Sequence, residues 1–217
     1  MVSAQVDTTS FSNALRIKFK KYQTIAEHAY RTGDAERGDY LFDSLVQYRL
    51  RSTTFDDYTF KKVNGGKLEL SKIKKPIVLI TFSSSMVTGL GEIPAINKLA
   101  HKYRKDVQYV ALFWDRRHNM KKIAAKFNSN VIVCYAHESY KNDAPIVATM
   151  KHKIGYLASY YLDENRKVID IKRCFVKAPI KKNQYQRGFA LYYNNYLKQL
   201  HGLIVNFELK KEMLAVK

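Results

Sequence analysis

Three short and almost wholly apolar runs, Pro76–Phe82, Val107–Trp114 and Val131–Tyr135, are separated by two stretches with helical periodicity, Glu92–Tyr103 and His118–Phe127. Runs of this kind show no alternation of apolar and polar residues, so both of their faces are buried, as in the strands of a parallel sheet. The order strand, helix, strand, helix, strand implies a parallel sheet with right-handed crossovers. A short helix is expected next, around Val147–Ile154. Ser159–Leu162 and Lys167–Lys172 then read as strands of an antiparallel hairpin that turns on Asp163-Glu164-Asn165-Arg166. Tyr185–Leu200 reads as a closing amphipathic helix, with Gly202 near its end. The longest apolar runs, Tyr109–Trp114 and Val131–Ala136, fall far short of the roughly 20 residues that span a bilayer.

Ahead of this unit the pattern is helical. Phe11, Leu15, Phe19, Tyr22, Ala26 and Tyr30 recur at spacings of three and four, and Leu41, Leu45 and Tyr48 make a stripe beside Phe42 and Val46. Gly33 is placed to end the first helix in a left-handed conformation and Asp34 to cap the second, which predicts a tight helical hairpin. Two short strands, Tyr58-Thr59-Phe60 and Lys67–Leu70, flank a turn at Asn64-Gly65-Gly66. Charge marks the same division. Residues 1–60 hold 8 basic and 8 acidic groups, whereas residues 61–120 hold 12 and 4, residues 121–180 hold 11 and 5, and residues 181–217 hold 7 and 2. The whole excess of +19 therefore lies beyond residue 60. The reading is an N-terminal segment with a helical hairpin over 1–54, an α/β domain over 55–202 and an unplaced tail over 203–217.

The residues of this unit carry a resemblance. Phe55–Phe82, a hairpin that ends in Leu70-Ser71-Lys72-Ile73-Lys74-Lys75 just before the first core strand, is similar to the entry of the TlpA/redoxin branch of the thioredoxin-like superfamily. Gly91-Glu92-Ile93-Pro94-Ala95-Ile96-Asn97-Lys98-Leu99 resembles that family's first core helix with its proline, and Ser159–Ile169 resembles its penultimate hairpin. The resemblance covers about residues 55–202 and implies a thioredoxin-like fold, a central mixed sheet built as βαβαβ and then α-ββ-α. It also implies thiol–disulfide chemistry at a Cys-x-x-Cys between the first core strand and helix, where a helix N-terminus stabilises a thiolate.

This chain departs from that pattern. Counted back from Pro94, the two cysteine positions fall on Met86 and Gly89, and no cysteine precedes Cys134. The family's cis-proline, which grips substrate backbone opposite the thiols, falls near Leu157, while the four prolines are Pro76, Pro94, Pro145 and Pro179. A trans peptide is expected there. Cys134 and Cys174 are the only thiols. The first is expected on an edge strand and the second just past the opposite edge, about 19 Å apart across five strands, too far for a disulfide, which needs Cα atoms within about 7 Å. Ser83, Ser84, Ser85 and Thr88 are candidate binding residues at a helix N-terminus. The six histidines are scattered, so neither a metal nor a cofactor is expected. Tyr185, Tyr192, Tyr193 and Tyr196 accompany basic groups, but their spacing suits a helix packed on a sheet, and no nucleic-acid motif is present.

The expected function is a redox-inactive thioredoxin-like module that binds or scaffolds a protein partner in a bacterial cell envelope. Enzymatic activity is not expected but stays open. One alternative is a thiol-disulfide redoxin using Cys134 or Cys174; another is contact of the basic domain with a polyanion, a nucleic acid or an anionic membrane surface. Val2-Ser3-Ala4 before Gln5 is similar to the small-residue end of a secretory leader. The location expected from it is the periplasm or envelope, with the cytoplasm as the alternative.

Overall fold

The structure, a computed structural model, describes residues 9–86, 90–173 and 184–215. The first helix, α1 (Phe11–Arg31), starts where the Ser10 hydroxyl accepts from the Asn13 N–H at 3.3 Å. Asp56 seals the same end by accepting from the Ser12 N–H at 2.8 Å and the Ser12 hydroxyl at 2.6 Å. Gly33 is left-handed at φ 78°, and the Asp34 carboxylate caps α2 (Ala35–Leu45) by accepting from the Arg37 N–H at 3.0 Å. The hairpin turn is thus the one its residue types predict. Beyond Leu45 the helix widens into a π-helical turn, Val46–Leu50. That turn shifts the stripe, so Leu45 and Leu50 are buried while Tyr48, expected in the stripe, is 69% exposed.

Two short strands follow, β1 (Thr59–Lys62) and β2 (Lys67–Glu69). The core is then β3 (Ile77–Phe82), α3 (Glu92–Lys102), β4 (Gln108–Phe113), α4 (Arg117–Ala124) and β5 (Val131–Tyr135). A helical segment, α5, begins at Ala144–Ile146 and continues π-helically over Val147–Ile154. The chain ends with β6 (Ala158–Leu162), β7 (Val168–Arg173) and α6 (Tyr185–Ala215). Pro94 stands in the first turn of α3, where its missing N–H would have had no helical partner. α6 does not stop at Leu200: it passes Gly202, so residues 203–215, expected as a separate tail, continue the helix.

The sheet has seven strands in the order β2-β1-β5-β4-β3-β6-β7. β3, β4 and β5 are parallel, and β6, β7, β1 and β2 join antiparallel. The fold is α/β with a mixed sheet, as expected. One placement is corrected. β5 is not an edge, because β1 pairs with it and sets Lys62 opposite Cys134. Four strand spacings still separate β5 from β7.

Both faces are covered, as strands without alternation require. α3, α4 and α6 bury Val78, Ile80, Phe82, Tyr109 and Phe113 on one face. α1, α2 and α5 bury Leu79, Val110, Leu112, Cys134 and Tyr160 on the other. Arg173 ties the helical hairpin to the sheet: its guanidinium lies 4.0 Å from the Phe42 ring centre and donates to the Tyr22 hydroxyl at 2.9 Å and the Ile154 carbonyl at 2.7 Å. Residues 52–55 close the outer edge of β7, through Ser52 N–H to Val168 O at 2.8 Å, Val168 N–H to Thr53 O at 2.9 Å and Phe55 N–H to Arg166 O at 2.8 Å.

Candidate functional site

In open α/β sheets, ligands are met beyond the carboxyl ends of the strands, where the strand order reverses direction. Here that place is the end of β3, with β4 and β5 built to one side and β6 and β7 to the other. Three segments meet there: the loop that follows β3, Asp115 after β4, and residues 155–157 before β6.

Side chains bind these segments to one another. Thr81, polar in an apolar strand, accepts from the Ala158 N–H at 2.9 Å, and its hydroxyl lies 3.0 Å from the Tyr156 carbonyl. The Trp114 indole N–H donates to the same Tyr156 carbonyl at 3.0 Å. Asp115 is buried and accepts from the Ser84 N–H at 2.7 Å and from the Ser84 hydroxyl. The Ser83 and Ser85 hydroxyls lie 2.8 Å apart, and the Met86 N–H closes a turn on the Ser83 carbonyl at 3.1 Å.

Of the expected site residues, Ser83, Ser84 and Ser85 are together on this loop and not on the first turn of α3, which begins at Glu92. Both Ser84 donors are already engaged by a carboxylate. Met86 stands at the loop surface, 41% exposed. Leu157 is half-buried, and every peptide bond among the described residues is trans. Thr88, Gly89 and Cys174 lie outside the described residues. Cys134 is 0% exposed, and burial pushes its thiol up to about 12. It is the one thiol among the described residues, and a neutral buried thiol is neither nucleophile nor metal ligand. No group of His, Cys, Asp and Glu among the described residues is gathered for a metal ion.

Sequence reasoning did not find Asp115, Thr81, Trp114 or Tyr156. The available signal was polarity in the wrong place: Thr81 inside an all-apolar strand, and a carboxylate directly after another. Tyr156 is 47% exposed, with the Lys151 ammonium 4.8 Å from its ring centre. Lys151 is itself buried and ion-paired with Glu138, whose carboxyl its hydrogen bond holds below the usual carboxylate range. The site therefore presents a thioether and a phenol on a hydrogen-bonded frame, with no thiol at its described surface.

A second latch holds α3 from behind. Glu92 is buried in the first turn of α3 and accepts from the Tyr196 hydroxyl of α6 at 2.8 Å. Gly91 before it adopts φ 94°, and α6 approaches so closely that a Cβ there would lie 2.5 Å from the Phe189 nitrogen.

No family model and no curated protein sequence matches this chain. Solved structures do. A candidate protein disulfide isomerase from Bacteroides thetaiotaomicron is 16% identical with a TM-score of 0.52, the likeness covering 71% of this chain and 89% of that one. A candidate thiol:disulfide interchange protein DsbE from Chlorobium tepidum is 20% identical with a TM-score of 0.48, over 66% of this chain and 97% of that one. The pneumococcal exposed lipoprotein thioredoxin from Streptococcus pneumoniae is 16% identical with a TM-score of 0.46, over 62% and 98%. With its parallel β3–β4–β5 core, antiparallel β6–β7 hairpin and closing helix, this chain has the thioredoxin-like fold.

Proposed function

We propose that this chain is a thioredoxin-like binding module without thiol chemistry, which engages a protein partner in a bacterial cell envelope through the surface formed by the loop after β3 and residues 155–157. The loop after β3 supports this. Met86 stands where the resemblance puts the first cysteine, and a thioether neither ionises nor forms a disulfide. Ser84, two residues before it, is held by Asp115, so the start of the loop is anchored without the cysteine pair. Exposed Met and Tyr side chains supply adaptable apolar contact of the kind partner surfaces use.

Insulin reduction with dithiothreitol as donor tests the first half. Purified protein is expected to give the uncatalysed rate. Turnover that disappears in Cys134→Ser or Cys174→Ser would restore the redoxin alternative. The second half is tested with a photo-crosslinking residue in place of Tyr156 or, as a control, of Tyr40, which is 70% exposed on α2. A discrete envelope adduct is expected from position 156 alone. Equal adducts from both positions, or recovery of the native protein only from cytosol, would remove this surface or this location.

A further inference from the structure

The β1–β2 turn, β5 and α4 enclose a partly open cavity of about 730 Å³, within the range of small-ligand sites. None of its residues belongs to the loop surface described above. Its apolar part includes Phe127, Val131 and Val133. The Phe127 ring is held in place edge-on to Phe82 and Phe113, with ring centres 5.8 and 6.1 Å away. Its polar part is basic: Lys62, Arg117 and Lys121 line the cavity, and no carboxylate does.

These three cations differ from their neighbours. Lys61, one residue away, is paired with buried Asp143 at 2.7 Å, and Lys172 with Asp43 at 2.9 Å. Lys62, Arg117 and Lys121 have no carboxylate partner among the described residues. Arg117 is nevertheless fixed, because its Nε donates to the Val63 carbonyl at 2.9 Å, which leaves its two terminal nitrogens as oriented donors. Like charges collected around a concave, partly apolar wall repel one another and focus the field on anything that enters, which favours an anion there. A guanidinium fork matches a planar or tetrahedral oxyanion by two parallel hydrogen bonds.

We propose that this cavity binds a small organic oxyanion, a phosphate or carboxylate group carried on an apolar body. The headgroup lies among Lys62, Arg117 and Lys121, and the body lies on Phe127 and the two valines.

Calorimetry on the full chain at low salt tests this with naphthyl phosphate, naphthoate, inorganic phosphate and naphthol. At least one of the two amphiphilic anions is expected to bind one-to-one, at least about tenfold tighter than inorganic phosphate or naphthol. Which of the two binds tighter identifies the headgroup. Lys121 is exposed, so Lys121→Glu keeps the fold and is expected to weaken that binding by at least about tenfold. Lys20→Glu changes the net charge equally on α1, across the sheet, and is expected to leave it unchanged. Equal loss in both variants would show adsorption to a generally basic surface, and the cavity would be rejected. Retained binding in Lys121→Glu, or no binding of either amphiphile, would also overturn the proposal.

Discussion

Gly91→Ala should lower the unfolding free energy by about 2–6 kcal/mol, combining a left-handed backbone penalty of about 1–3 kcal/mol with an overpacking cost of similar size. Gly91 holds φ 94°, a conformation L side chains rarely adopt. The added methyl would sit 2.5 Å from the Phe189 nitrogen and 2.8 Å from its Cα. Those are backbone atoms of a helix, so no rotamer change relieves the contact; α6 must move off α3, and the Tyr196–Glu92 hydrogen bond goes with it. Gly202→Ala is the internal control. It lies within α6 with nothing within 4 Å of the new Cβ, and should stabilise by roughly 0.5–1 kcal/mol. Urea midpoints at constant slope read both effects. A Gly91→Ala midpoint equal to the parent's would mean that α6 does not lie against this turn.

Alkali should unfold the protein through groups that cannot ionise in place. The Cys134 thiol is pushed from an ordinary value near 9 up to about 12 by burial. In the unfolded chain it loses its proton near 9, in the folded chain only near 12, so across this window the unfolded state binds fewer protons. Stability is then fully present below pH 9 and falls as pH rises. At 1.36 kcal/mol per pKa unit the loss through Cys134 reaches about 3–4 kcal/mol by pH 12. Tyr58, Tyr109 and Tyr160 add to it from about pH 10 upward, because burial raises each phenol above its ordinary value of 10.0. Urea midpoints against pH should be flat up to pH 9 and then decline. Cys134→Ala should remove the part of the decline that starts near pH 9 and leave the tyrosine part. A native thiol that titrates near 9 would contradict its burial against the helical hairpin.

The core strands were legible because burial on both faces leaves a compositional mark: Val131–Tyr135 is five residues in the sequence pattern and the same five in the structure. The helical hairpin was legible from its turn, where Gly33 and Asp34 each have one physical use. Pairing partners were not. Nothing in Val131–Tyr135 says that a second neighbour, β1, lies on its far side, so Cys134 was expected at an edge when it is interior. The end of α6 was missed because Gly202 has the residue type of a stop, yet residues on either side continue the helix. The site was legible as a departure from a pattern, in Met86 and the serines, but not as a structure. Ser84–Asp115 spans 31 positions and Thr81–Ala158 spans 77, and contacts at such separations leave no periodicity to read.

The strap over the edge of β7 has a consequence for the order in which the molecule is completed. Residues 52–55 pair with residues 166–168, and Phe11 packs against Tyr160 at 6.3 Å between ring centres. The helical hairpin is therefore made well before the last part of its floor, β6 and β7. Translation at about 5–20 residues per second leaves roughly 5–20 s between residue 55 and residue 166. During that interval β3, β4 and β5 are made but Phe11 lacks Tyr160 and residues 52–55 lack residues 166–168, so the uncovered part of the hairpin is a ligand for whatever holds apolar segments during synthesis. Its folding rate is governed by closing these long loops rather than by forming its helices, which places the slow step after the last hairpin has emerged.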